Sequence, residues 1–66
     1  MRPVIQFNEN HKWCGTLGII TEAKQYEDDT RFMIAVPMPE QGTAYIFSML
    51  SHNEFDWIGE TDLVPA

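Results

Sequence analysis

His11 and Cys14, separated only by Lys12 and Trp13, bring an imidazole and a thiol close together, and His52 offers a second imidazole further along the chain. Such groups suggest either a metal site or a Cys/His nucleophile. Structural zinc requires four ligands in paired spacings, and one cysteine with two distant histidines does not supply them. A cysteine nucleophile needs a pocket that lowers its thiol pKa, which a very small domain hardly builds. Cys14 is therefore expected to be a small buried hydrophobe and His11 a loop hydrogen-bonder. Carboxylates form the other group: Glu27, Asp28 and Asp29 in a row, then Glu54, Asp56, Glu60 and Asp62. They lack the alternating donors, central glycine and terminal bidentate glutamate of a calcium loop. A general acid and base pair would need one carboxylate buried, yet these lie in segments that read as solvated. The expectation is a non-enzymatic protein with no catalytic residue, no metal and no cofactor.

The balance of charge narrows the partners. Ten acidic residues against four basic ones give a net charge of -6 on a chain of 66 residues. Non-specific nucleic-acid affinity comes from lysines and arginines that release counterions, and Arg2, Lys12, Lys24 and Arg31 are too few and too scattered for that. A single cysteine excludes an intramolecular disulfide and fits a reducing compartment, so a cytoplasmic location is expected. Asn8 and Glu9 interrupt the N-terminal apolar residues before a signal-peptide core forms, and no apolar run approaches the ~18 residues of a membrane span. No membrane partner is expected.

The elements that must position these groups are short. Gly15-Thr16-Leu17-Gly18-Ile19-Ile20-Thr21 reads as a turn entering a buried strand, with glycines that adopt φ > 0 or admit a neighbouring backbone. That strand is placed from Thr16 to Lys24, with Leu17 and Ile19 on its inner face. A first strand over Pro3–Phe7 precedes it, with Val4 or Ile5 inward, and a turn-rich loop over Asn8–Lys12 leads to Trp13, expected to lid one end of the core. After the acidic turn Gln25–Thr30, a third strand runs from Arg31 to a break at Pro37. Met38–Gly42 then turns the chain into a fourth strand over Thr43–Leu50. Ser51–Asn53 is a link. Glu54–Ile58, stopping at Gly59, fits a short strand and a single helical turn equally well. Beyond a last tight turn, Leu63 and Val64 are expected to tuck into the core. Five short strands with turns every 8 to 12 residues predict one all-β domain over residues 1–66, a small five-stranded barrel.

The order of an apolar strand, His-x-Trp (His11, Trp13), Gly-x-x-Gly with two hydrophobics (Gly15, Gly18, Ile19, Ile20), an acidic turn, a hairpin and a closing Asp62-Leu63-Val64-Pro65 resembles SH3-like barrels found as small proteins of phages and prophages. More distantly it is similar to KOW-type modules. The resemblance implies an SH3-like barrel, structural roles for the glycine-rich turn and the closing segment, and no catalytic residues. KOW-like relatives touch RNA or ribosomal partners through basic loops. Here Glu27, Asp28 and Asp29 stand where basic residues would help, which argues against nucleic acid.

The functional expectation is therefore a protein-interaction module, a phage or prophage accessory factor modulating a host or viral protein in the host cytoplasm. The alternative is an acidic mimic of nucleic acid that occupies the site of a DNA- or RNA-binding enzyme, with carboxylates standing in for phosphates and aromatics for bases. Partner contacts are expected at Tyr26, Glu27, Asp28 and Asp29 with Phe55, Asp56 and Trp57, because loops carry contacts and aromatics flanked by charge anchor interfaces. The third and fourth strands are apolar on both faces. Met33, Tyr45, Phe47 and Met49 form a second set that either lies under the N-terminal segment and Trp13 or mediates self-association as a two-fold dimer.

Overall fold

The computed structural model describes residues 1–63. Five strands follow one another: β1 (Arg2–Phe7), β2 (Leu17–Gln25), β3 (Thr30–Met38), β4 (Gly42–Met49) and β5 (Phe55–Thr61), with a 3-10 turn over Leu50–His52 between the last two. They make one antiparallel sheet in the order β4-β3-β2-β1-β5. The all-β class and the five strands follow the expectation from sequence, whereas the expected barrel is not closed: β4 and β5 stay at opposite edges of an open sheet.

The core lies on one face of this sheet. Ile5 and Phe7 from β1, Ile20 from β2, Phe32, Ile34 and Val36 from β3 and Phe55 from β5 are buried together. Their alternation along β1 and β3 has the period of two that a one-sided sheet requires. Each such side chain contributes on the order of 1.5–3 kcal/mol on burial. Trp13 packs against one end of the cluster. Its ring meets Phe7 edge-on at 6.5 Å, and His11 stacks on Phe7 at 4.4 Å while its Nδ1 accepts a hydrogen bond from the Trp13 backbone N–H. The lid expected from sequence is thus a three-ring cluster, with His11 as the loop hydrogen-bonder.

The inner face of β2 is the reverse of the expected one at its start. Leu17 is 49% exposed, whereas Gly18 and Ile20 face the core. The reason is packing against β3. A Cβ on Gly18 would sit 2.5 Å from Ile34 Cγ2 and 3.3 Å from Ile5 Cδ1, so the glycine is the inward residue because its neighbours fill the space. An irregularity between Ile20 and Glu22 then shifts the register, and beyond it Ala23 pairs with the inward Phe32. A bulge exchanges the faces of a strand, which no single alternation along the sequence can express.

Other boundaries move as well. Pro37 does not break β3: it pairs with Thr43 of β4, past the last β2–β3 pair at Ile19 and Ala35, where its missing N–H interrupts no ladder on that side. Gly59 does not stop β5, which pairs along β1 to Thr61, with a bulge at Ile58. Leu50 leaves the strand for the 3-10 turn and is exposed. Cys14 is a free, exposed thiol, not a core residue. Leu63 is 70% exposed instead of tucked inward, and Val64 lies outside the described residues.

Candidate functional site

The acidic turn between β2 and β3 is built as a tight hairpin, with Tyr26 N–H donating to the Asp29 carbonyl at 2.7 Å. Asp29 is the structural member of the acidic run. Its carboxylate accepts hydrogen bonds from the Thr30 and Ser51 backbone N–H groups, at 2.8 and 3.1 Å, and from the Ser51 hydroxyl. The Ser51 hydroxyl bond is the largest cause holding the Asp29 carboxyl below its ordinary pKa, helped by the two backbone donors and by the charge of His52 and opposed by desolvation. Glu27 and Asp28 are exposed. Tyr26 is half-exposed, with the Arg31 guanidinium 4.3 Å from its ring centroid. Arg31 Nε is buried and has no hydrogen-bond partner among the described residues, so stacking on Tyr26, more than hydrogen bonding, fixes this side chain.

At the start of β5, Phe55 is buried in the core and meets Phe32 edge-on at 5.5 Å. Trp57 packs edge-on against both rings, at 5.4 and 5.6 Å, yet stays 53% exposed. Asp56 is exposed. Of the seven residues expected to contact a partner, Tyr26, Glu27, Asp28, Asp56 and Trp57 thus present surface. Asp29 holds the turn, and Phe55 supports Trp57 from beneath.

Leu50 brings the two halves together. It lines the depression formed by the acidic turn and also the one formed by Asn53, Phe55, Asp56 and Trp57. Sequence reasoning assigned Leu50 to a strand and missed it; the available signal was Ser51-His52-Asn53, whose Asn53 adopts the left-handed conformation (φ 48°) that closes a 3-10 turn. The rim is therefore continuous: Tyr26 and the acidic turn, then Leu50, then Asp56 and Trp57.

The other exposed set lies on the sheet face opposite the core. Tyr45 and Phe47 are 55% and 56% exposed and pair in register with Ala35 and Met33 of β3. Met33 and Met49 are half-buried. Trp13 packs on the core side, so these residues form an open apolar stripe. Among the described residues no group of three or more His, Cys, Asp or Glu is placed to hold a metal ion. Among the described residues, no helix is long and apolar enough to cross a membrane. Comparison with protein-family models, with curated proteins and with solved structures finds no match for this chain.

Proposed function

We propose that this protein is a non-enzymatic interaction module whose rim, from Tyr26 through Leu50 to Trp57, docks another protein. The observation that carries the reading is the placing of three large apolar side chains, each about half exposed, along one rim where Glu27, Asp28 and Asp56 supply charge. Half-exposed aromatics backed by a rigid core are the residues that anchor protein interfaces, since little side-chain entropy remains to be lost on binding. Phe32 and Phe55 hold Trp57, and Arg31 holds Tyr26. We further propose that the sheet belongs to the SH3-like barrel architecture. The strand order, the 3-10 turn before β5 and the bulges in β2 and β5 that bend the sheet support it.

The rim also carries the chemistry of the mimicry reading, because carboxylates alternate there with aromatic rings. One experiment separates the readings. The protein and its Leu50→Asp, Trp57→Ala variant are used as bait in cytosol. The interaction reading expects a protein retained by the parent and lost with the variant at unchanged fold by circular dichroism. Identical captures from both baits would remove the rim from consideration. A captured nuclease, polymerase or glycosylase that DNA displaces from the bait would assign the rim to mimicry.

A further inference from the structure

Strand β4 is an open edge without the protections that edges ordinarily carry. From Gly42 to Met49 it contains no charged residue and no proline, and the chain has no Asp, Glu, Lys or Arg anywhere between Glu40 and Glu54. The opposite edge contrasts with it: β5 carries Asp56 and Glu60, bulges at Ile58 and is followed by Asp62. Charges and bulges on an edge are the means by which sheets avoid pairing with other sheets, and here they are confined to one side. Among the described residues, no strand pairs with the free side of β4.

We propose that β4 pairs antiparallel with β4 of a second copy across a two-fold axis centred on Ile46, joining two sheets into one of ten strands. The occupant follows from charge and self-complementarity. Two chains of net charge -6 repel over most of their surfaces, and the uncharged edge is where their backbones can meet. A two-fold axis at Ile46 places Tyr45 opposite Phe47 of the other copy and Phe47 opposite Tyr45, so both exposed aromatic pairs meet on the outer face. Aromatic cross-strand pairs of this kind contribute roughly 0.2–1 kcal/mol each. Ile46 meets its own counterpart on the core side. Of the rim residues, Tyr26 shares a depression with Phe47 of β4, whereas Leu50 and Trp57 line depressions that contain no β4 residue, so this inference and the rim reading can fail separately.

The test uses the full chain. Sedimentation equilibrium at micromolar to submillimolar concentration is expected to show a species of twice 7.6 kDa, with alternate β4 amides gaining hydrogen-exchange protection as concentration rises while β5 amides do not. Two double variants then decide the geometry. Tyr45→Lys with Phe47→Lys sets like charges opposite one another and is expected to weaken association by roughly tenfold or more. Tyr45→Lys with Phe47→Glu sets opposite charges together and is expected to restore it. Net charge alone predicts the reverse order, because the first variant lowers the charge from -6 to -4 and the second leaves it at -6. A 7.6 kDa species at every concentration, equal loss in both variants, or unprotected β4 amides in the dimer would overturn the proposal.

Discussion

Gly18 and Asp29 show how single residues fix this fold, one through the atoms it lacks and one through the hydrogen bonds it accepts. Ile34 Cγ2 occupies the space a Gly18 side chain would need, and both Ile34 and Ile5 are fully buried, with no room to withdraw. Gly18→Ala is therefore expected to destabilise by about 1–3 kcal/mol, the ordinary cost of overpacking, and to lower Tm by several degrees or more. An unchanged melting curve would mean that β2 and β3 separate easily. Asp29 couples the acidic turn to the 3-10 turn through Ser51. Its carboxyl is held below the ordinary range, so the folded state favours the ionised form. The stabilisation is complete above the unfolded pKa of about 3.9 and is lost as pH falls through the lower folded value. Asp29→Asn should accordingly melt below the parent at pH 7, with the gap closing under strongly acidic conditions. A gap independent of pH would assign the effect to geometry instead of charge.

At the scale of elements, the 3-10 turn binds three parts of the chain. Asn53 closes it in the left-handed conformation, and its carbonyl accepts hydrogen bonds from the Asn8 and Asn10 side chains, both at 2.9 Å, so the β1–β2 loop is fastened to the β4–β5 connection. Asn53→Gly retains that backbone readily and is expected to change stability by a few tenths of a kcal/mol, whereas Asn53→Ala should cost about 1 kcal/mol or more. Thermal melts of the two variants check this, and equal Tm values would show that the turn tolerates another backbone. These elements also mark what the sequence carried. Alternation located β1, β3 and β4 and the inward Phe32, Ile34 and Val36 of β3, but it left Val4 and Ile5 open in β1, and in β4 it carried the strand on to the exposed Leu50 and passed over the buried Ser48. It misassigned the start of β2, because the Thr21 bulge changes faces within the strand. It ended β5 at Gly59, because a bulged edge strand has no continuous alternation to read. The acidic turn and Trp57 were legible as exposed charge and aromatic character. Leu50 itself was not, since a leucine following an apolar strand looks the same whether the chain continues straight or turns, and the one mark of the turn, Asn53, stands three residues further on.

For the whole molecule, net charge and an open sheet set the balance of stability. The chain has a radius of gyration of 11.4 Å and extents of 36 × 25 × 20 Å, slightly wider than the ~11 Å typical of a globule this long. Ten carboxylates thus lie on a thin body, few of them opposite a cation. Among the described residues the ion pair present is Lys24 with Glu22 at 4.0 Å, and both side chains are mostly exposed, so its contribution is near zero. Repulsion among the acids therefore outweighs attraction, and screening it should stabilise the fold. Raising NaCl from about 0.01 M to about 0.15 M shortens the Debye length from roughly 30 Å to roughly 8 Å. Tm is expected to rise by several degrees, measured in the Tyr45→Lys, Phe47→Lys variant so that salt acts on folding without acting on association. A Tm that falls with NaCl would reveal favourable charge pairing in the folded chain that outweighs repulsion. In the parent chain the same screening should act a second time, strengthening association, because two copies of equal charge meet along β4.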